Sequence, residues 1–244
     1  MIKFEYTEVC GFSHAIRGMR NPKNSWDKSD SQFHKGGCLE CPHHDKDCDV
    51  LEHCMVMGEE DLRLANLLAN AGTDHGKFLR FLIVYVDINA PLYWWKEADT
   101  YRMGVEKNSC STMHKIHDKE FCLDDFSAER LDGIEAKRAL ESTIHALNRA
   151  REGFNECARR LKDKTLTKDE KKQIRTEKKK FFDTMIQLLP TSYNQRRTCM
   201  ISYAALRNMY HARKNHKLDE WHDFCAWCES LPYSELITGG ASDV

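Results

Sequence analysis

Residues 90–102 read Ala90-Pro-Leu-Tyr-Trp-Trp-Lys-Glu-Ala-Asp-Thr-Tyr-Arg102, and the chain continues to Glu106-Lys-Asn-Ser-Cys-Ser-Thr-Met-His114. The preceding run, Phe78-Leu-Arg-Phe-Leu-Ile-Val-Tyr-Val-Asp-Ile88, is rich in β-branched and aromatic residues and predicts a buried strand. A strand therefore leads into a loop that concentrates planar aromatic and polar side chains. Such a loop suits a flat, hydrogen-bonding ligand such as a nucleotide or a flavin. The alternative is a solvated surface loop anchored by the tryptophan pair.

The composition indicates a soluble globular protein rather than a membrane or nucleic-acid-binding one. The formal net charge of −1 leaves no overall basic field to attract nucleic acid. The longest apolar run, residues 78–88, contains Arg80 and is too short to span a bilayer. The first residues show no signal-peptide pattern. We therefore expect a cytoplasmic protein with neither a membrane nor a nucleic acid as partner.

Helical and strand patterns divide the chain into an ordered series of elements. Apolar periodicity and capping signals predict a first strand at 1–9, a strand at 78–88, and helices at Glu59–Ala71, about 127–161, from Thr167 to Pro190, near 203–212 and near 218–229. Together they predict one domain over residues 1–244. That domain carries a cysteine- and histidine-rich insertion at about 32–57 and a helical hairpin at about 127–189.

The insertion contains a candidate metal site. Its cysteines are Cys38, Cys41, Cys48 and Cys54. Four thiolates can hold a structural zinc, and His43, His44 or His53 could replace one sulfur. Reduced thiols in a surface loop are the alternative. The second Cys-x2-Cys spacing, Cys225-Ala-Trp-Cys228, lies in a predicted helix and is expected to pack in the core.

The helix near residues 203–212 ends in a candidate ligand-binding arginine. Arg213 arrives at the helix end, where a cation is electrostatically favoured. Its guanidinium could form a fork of hydrogen bonds to a phosphate or to a carbonyl-rich base. It could equally cap the carbonyls of its own helix. The sequence leaves both interpretations open.

In three blocks, these residues resemble the flavin-dependent thymidylate synthases, the ThyX group. The first block runs from Ala71-Gly-Thr-Asp-His75 to Phe78 before the strand, and the second is the loop from Pro91 to Ser111. The third begins at Leu189-Pro190 and continues through Asn208, Arg213 and His216. The Pro-Leu-Tyr-Trp-Trp and Ser-Thr-Met-His sequences look like those of a divergent phage- or Firmicute-type branch.

The resemblance implies a fold and a reaction. The fold is α/β, with a mixed sheet, long flanking helices and a homotetramer whose active sites lie between subunits. The reaction is the reductive methylation of dUMP, with methylenetetrahydrofolate as the one-carbon donor. Reduced FAD would supply the hydride and NADPH would reload the flavin.

At matching positions, the resemblance also implies roles for individual residues. It implies catalytic roles for Ser109 and Arg213. The residues expected to bind the nucleotide are Arg102, Glu106, Ser109, Ser111 and Arg213. Those expected to bind the flavin at matching positions are His75, Asn208 and His216. Trp95 and Tyr101 are added because the aromatic loop could flank an isoalloxazine ring. The metal expected at Cys38, Cys41, Cys48 and Cys54 does not come from the resemblance but from the cysteine spacing in the insertion.

Two departures from the family pattern concern positive charge. The family has an Arg-His-Arg triplet in its signature loop, and a gap-free alignment from Pro91 places Ala98-Asp99-Thr100 there. Lys96 and Arg102 could replace part of that charge. The arginine that often precedes the Leu-Pro element is also missing, because Thr184-Met-Ile-Gln187 occupies that region.

Three functions remain open at this stage. The first is a thymidylate synthase-like enzyme acting on dUMP. The second is a related flavoenzyme that makes a different modified pyrimidine deoxynucleotide. The third is a non-catalytic homologue that binds a nucleotide or a metal. Retention of Glu106, Asn208, Arg213 and His216 favours the first two, and loss of the triplet favours the last two.

Overall fold

The computed structural model describes residues 2–33 and 55–239, which divide into two compact units. We call the first the sheet unit; it comprises the described residues of 2–89, 97–108 and 197–239. We call the second the hairpin unit; it comprises residues 90–96 and 109–196. Within the described ranges, no helix combines the length and the apolar character needed to cross a bilayer.

The elements follow one another in an α/β order. In the first part of the chain they are β1 (Lys3–Cys10), α1 (Phe12–Arg20), β2 (Gln32–Phe33), β3 (Met55–Val56), α2 (Glu59–Asn70), a 3₁₀ helix (Gly76–Arg80), β4 (Ile83–Pro91) and α3 (Leu92–Ala98). In the second part they are β5 (Val105–Ser109), α4 (Thr112–Lys115), α5 (Ile134–Arg160), α6 (Lys168–Leu188), β6 (Asn194–Ser202), α7 (Tyr203–Arg213), α8 (Asp219–Glu229) and α9 (Glu235–Thr238).

Four strands form the main sheet, in the order β1-β4-β6-β5. Strand β1 pairs antiparallel with β4, with Phe4 opposite Ile88 and Val9 opposite Val84. The sheet is antiparallel, so the predicted α/β class with long helices is confirmed but the expected mixed pairing is not. A separate pair, β2 with β3, is also antiparallel.

Strand β4 contributes to the core of the sheet unit with every second side chain. Val84, Val86 and Ile88 are buried, whereas the side chains between them are less so. This is the period-two pattern of a strand that buries one face. The largest fully buried side chains of the unit include Tyr203, Trp221 and Phe224.

A buried ion pair joins α1 to α2 in the sheet unit. The Arg20 Nε donates to Asp61 Oδ1 at 2.6 Å, and both side chains are almost completely buried. The other carboxylate oxygen of Asp61 accepts hydrogen bonds from the hydroxyls of Ser29 and Ser31 at 2.6 Å each. These bonds satisfy the carboxylate, which is the condition for tolerating a buried charge.

The core of the hairpin unit lies between α5 and α6. Its fully buried centre includes Leu147 on α5 and Met185 on α6. A capping box is present at the start of α6, as its sequence predicted. The Thr167 hydroxyl accepts from the backbone N–H of Glu170, and the Glu170 carboxylate accepts from the backbone N–H of Thr167. Such reciprocal bonds satisfy N–H groups that the helix itself leaves unpaired.

Three boundaries differ from the sequence prediction. Strand β4 begins at Ile83 rather than at residue 78, because residues 76–80 form a 3₁₀ helix that buries Phe78 and Leu79. Helix α5 begins at Ile134 rather than at 127, because Gly133 directly before it has a φ of +82°, which is outside the helical region. The predicted aromatic loop begins with a helix, α3, which buries both Trp94 and Trp95.

Candidate functional site

A cluster of polar and aromatic side chains surrounds Arg213 at the end of α7. The Arg213 Nη1 donates to Glu97 Oε2 at 2.8 Å, and its Nε donates to the hydroxyl of Tyr101 at 2.8 Å. The guanidinium lies over the Trp221 ring, 4.8 Å from its centroid, in a cation–π arrangement. All of these residues belong to the sheet unit. We call this set, together with His216, the Arg213 cluster.

Glu97 is the acceptor at the centre of the Arg213 cluster. Its Oε2 also accepts from Trp221 Nε1 at 3.1 Å and lies 3.2 Å from His216 Nε2. The backbone N–H of Leu218 donates to His216 Nδ1 at 3.2 Å, so in the neutral ring the proton is on Nε2. His216 therefore presents a third donor to the same carboxylate oxygen.

A second charged group surrounds Asp99, in the loop between α3 and β5. Asp99 Oδ1 accepts from Lys107 Nζ at 3.0 Å and from Arg197 Nη1 at 2.8 Å. Partial burial acts to raise the pKa of Asp99, but the hydrogen bonds and charges of Lys107 and Arg197 hold it below the ordinary value. The positive charges next to Asp99 are therefore Lys107 of β5 and Arg197 of β6. Both are paired with the Asp99 carboxylate.

A cavity of about 480 Å³ lies in the sheet unit. Its lining includes Gly72, Gly76, Arg80, Ala204, Arg207 and His211. The Nε2 of His211 is buried and has no hydrogen-bond partner among the described residues. Burial, together with the nearby charge of Arg207, lowers the pKa of His211, so the ring is neutral near pH 7. Arg207 is held by Asn70 Oδ1 at 2.7 Å and by the carbonyl of Leu236 at 3.0 Å.

On one side of the cavity, no other group of the described residues covers the backbone at Gly72. Gly72 has a φ of +100°, and a Cβ placed there would meet nothing within 4 Å. The backbone N–H of Gly76 donates to Gly72 O at 2.9 Å, which closes the turn before the 3₁₀ helix. A volume of this size, with few converging polar groups, is typical of small-molecule sites.

The residues predicted to bind ligands in the sheet unit fall in three places. Tyr101, Arg213 and His216 meet in the Arg213 cluster. Exposed His75 directly precedes Gly76 of the cavity, and exposed Asn208 directly follows Arg207 on α7. Exposed Arg102 precedes β5 and exposed Glu106 is on it.

Three predicted residues lie in the hairpin unit. Ser109 ends β5 with an exposed side chain, and Ser111 caps α4 by accepting from the backbone N–H of His114 at 3.2 Å. Trp95 is 1% exposed, and its Nε1 donates to Gln195 O at 2.8 Å. Trp95 is therefore a core residue, and its expected contact with a flavin has no exposed ring face to support it.

The predicted zinc ligands Cys38, Cys41, Cys48 and Cys54 lie outside the described residues. Within residues 2–33 and 55–239, no group of three or more His, Cys, Asp or Glu side chains is arranged to hold a metal. Cys225 and Cys228 are both buried, as expected for packing residues, and burial raises the pKa of Cys225 to about 11.

Several residues of these sites are missing from the sequence prediction. Glu97 and Trp221 belong to the Arg213 cluster, but they lie 124 positions apart and no local pattern links them. Arg207 and His211 line the cavity, and a signal for them does exist. They are four residues apart on the helix that carries Asn208, so they share a face with each other.

The comparisons with known proteins identify the fold. No protein-family model matches the chain, and no curated protein matches it. Two matching crystal structures are of the flavin-dependent thymidylate synthase ThyX from Helicobacter pylori with FAD and dUMP. One has a TM-score of 0.60 and 15% sequence identity, covering 98% of each chain. The other has a TM-score of 0.59 and 16% identity, covering 99% of this chain and 98% of the other. The chain therefore shares the fold of these enzymes along almost its whole length.

Proposed function

We propose that this protein is a flavin-dependent thymidylate synthase-like enzyme that methylates dUMP reductively, with methylenetetrahydrofolate as the carbon donor. The observation that carries the proposal is the Arg213 cluster at the end of α7, in a chain whose fold matches enzymes crystallised with FAD and dUMP. A guanidinium fixed by a carboxylate, a phenol and an indole is a preorganised hydrogen-bond donor, which is what stabilising charge on a reacting base requires.

The cavity of the sheet unit is the candidate flavin site. Its volume is within the range of cofactor pockets, and the unpartnered Nε2 of His211 can bond to a polar group of the flavin. Arg80 and Arg207 provide positive charge for the pyrophosphate. Exposed His75 and Asn208 adjoin the cavity in sequence and are proposed as flavin ligands. Tyr101 and His216, also predicted to bind the flavin, lie in the Arg213 cluster and are not part of the lining of this cavity. Bound FAD would supply the hydride that this chemistry requires.

The nucleotide is assigned to Arg213 with support from residues of β5 and the segment after it. Two N–H groups of Arg213 are bonded to Glu97 and Tyr101, so its Nη2 keeps donors for a ligand carbonyl. Ser109, Ser111 and Arg102 are proposed as nucleotide ligands on the resemblance to ThyX alone. Glu106 is proposed as an acceptor for its 3′-hydroxyl group.

Further parts of the proposal rest on the likeness to ThyX alone. They are the homotetramer with sites between subunits, NADPH as the electron source and a cytoplasmic location. Sedimentation of the purified protein tests the first, and flavin reduction by NADPH under anaerobic conditions tests the second.

The test of the proposed function combines a spectrum with an activity. Purified protein should show flavin absorbance or bind FAD with a Kd no weaker than tens of micromolar, which corresponds to about −6 kcal/mol. With dUMP, methylenetetrahydrofolate and NADPH it should form dTMP, and its gene should rescue a thymidine auxotroph. Protein that neither contains nor binds FAD would contradict the proposal.

A second candidate function is retained because of the loop around Asp99. The carboxylate bound by Lys107 and Arg197 occupies the positions where the family has its triplet. A site with this altered charge suits a related flavoenzyme that makes a different modified pyrimidine deoxynucleotide. Bound flavin without dTMP formation favours this candidate, and nucleotide binding without flavin favours a non-catalytic homologue.

A structural zinc at Cys38, Cys41, Cys48 and Cys54 remains part of the proposal. It rests on the number and spacing of the thiols in the sequence, with His43, His44 or His53 as substitutes for one sulfur. Such a site has a closed coordination shell, so the zinc is assigned a stabilising role rather than a catalytic one.

A further inference from the structure

We propose that Glu97 is a positioning residue, which holds the guanidinium of Arg213 in the orientation that binds the pyrimidine. This inference rests on the proposed function, because it takes Arg213 as a nucleotide ligand. It concerns the link between the signature loop and α7, which the Glu97–Arg213 bond of 2.8 Å forms.

Three side chains hold the guanidinium in place, and Glu97 is the only charged side chain among these three. Tyr101 accepts from Nε, Glu97 accepts from Nη1 and the Trp221 ring lies beneath the guanidinium carbon. Only 19% of the Arg213 side chain is exposed. A long side chain held at three points loses its rotamer freedom before a ligand arrives, which lowers the cost of ordering it on binding.

The position of Glu97 is itself determined by its neighbours. Its Oε2 accepts from Trp221 Nε1 and lies within hydrogen-bond distance of His216 Nε2. Trp221 is completely buried, so its N–H has no access to water if the carboxylate moves away. The bond to Arg213 is charge-assisted, and such bonds are about twice as strong as neutral ones. A ligand should therefore take the remaining donors of Arg213 and leave Glu97 in place.

The carboxylate also determines which part of a nucleotide Arg213 can bind. Glu97 balances the charge of the guanidinium, so a phosphate dianion placed beside the pair gains little net attraction. A neutral carbonyl of the base still receives charge-assisted hydrogen bonds from Nη2. Glu97 thus directs Arg213 to the pyrimidine ring rather than to the phosphate.

The test measures dUMP affinity by calorimetry on the FAD-loaded full-length protein. Glu97→Ala should weaken binding roughly tenfold, as for removal of one member of a coupled pair. Glu97→Gln should recover most of the loss, because its amide oxygen can still accept from Arg213 and Trp221. Glu60→Ala is the matched control: Glu60 also pairs with an arginine at 2.8 Å, Arg63, on the exposed face of α2. That variant should bind dUMP as the wild type does.

A double-mutant cycle separates positioning from a direct role of Glu97. In the Arg213→Ala background, Glu97→Ala should cause no further loss of affinity. An equal loss in both backgrounds overturns the inference, and so does unchanged or tighter dUMP binding by Glu97→Ala. Tighter binding would mean that Glu97 competes with the nucleotide for Arg213.

The same measurements distinguish this inference from the proposed function. If Arg213→Ala binds dUMP as the wild type does, or if the wild type does not bind dUMP, the proposed nucleotide site is wrong and the role of Glu97 fails with it. If Arg213→Ala loses affinity while Glu97→Ala does not, only the positioning role is overturned. Thermal unfolding of each variant confirms that the compared proteins are folded.

Discussion

Nη1 of Arg213 lies 2.8 Å from Oε2 of Glu97, although 116 positions separate the two residues in the chain. The other hydrogen bond of the guanidinium goes to the Tyr101 hydroxyl. Neither bond goes to a backbone carbonyl of α7, so the interpretation of Arg213 as a helix cap is wrong. The arginine instead joins the end of α7 to the last turn of α3 and to the segment after it, and that arrangement leads to the first prediction.

Replacing Arg213 by alanine should weaken dUMP binding by roughly one to two orders of magnitude. A charge-assisted hydrogen bond of arginine contributes about 1.5–3 kcal/mol. Arg213→Lys should restore little, because a single ammonium nitrogen cannot reproduce the planar fork in which separate nitrogens of Arg213 face Tyr101, Glu97 and a base. Calorimetric titration with dUMP measures both variants. FAD affinity serves as the control and should not change; undiminished dUMP affinity in folded Arg213→Ala would remove Arg213 from the site.

The Arg20–Asp61 pair should contribute strongly to the stability of the protein. Asp61→Ala leaves the Arg20 guanidinium buried without its partner, and breaking a buried pair in this way typically costs about 3–5 kcal/mol. The free energy of unfolding in urea measures the effect. Exposed Glu60→Ala is the control, since surface pairs contribute about 0–1 kcal/mol. A loss in Asp61→Ala no larger than in the control would show that the pair is not stabilising.

Local patterns predicted the longer helices and two strands of the main sheet, β1 and β4, because their signals lie within a few residues. The capping box at Thr167 and the alternation along β4 are examples. The buried position of Trp95 could not be predicted in this way. It depends on a hydrogen bond to the backbone of Gln195, 100 residues away, and a tryptophan beside polar residues suits a core or a ligand equally well.

The candidate site was only partly predictable for the same reason. Arg213, Tyr101 and His216 were identified from motifs, and the structure brings them together. Glu97 was missed because its partners come from the end of α7 and from α8, and nothing near it in sequence distinguishes it from a solvated glutamate. Contacts between distant segments are set by the tertiary fold, which a local pattern does not contain.

Cysteine labelling should separate exposed from buried thiols. Burial raises the pKa of Cys199 to about 12, so at pH 8 only about one thiol in ten thousand is ionised. Cys110 and Cys122 are exposed. Iodoacetamide at pH 8 followed by peptide mass spectrometry should modify Cys110 and Cys122 within minutes and Cys199 only after denaturation. Rapid labelling of Cys199 in the native protein would contradict its burial.

The cysteine-rich insertion should contain about one zinc per chain, bound by Cys38, Cys41, Cys48 and Cys54. Residues 32–57 have few large apolar side chains and many charged ones, so hydrophobic burial alone could hardly order them. Zinc binding supplies folding free energy directly and would offset that cost. Elemental analysis of protein purified without added metal measures the zinc content.

The double variant Cys38→Ser with Cys41→Ser should remove the zinc and make the segment sensitive to protease, while FAD binding persists. Cys225→Ser, from a motif with the same spacing, should leave the zinc content unchanged. Metal-free protein in which all four thiols react freely would show that the insertion binds no zinc.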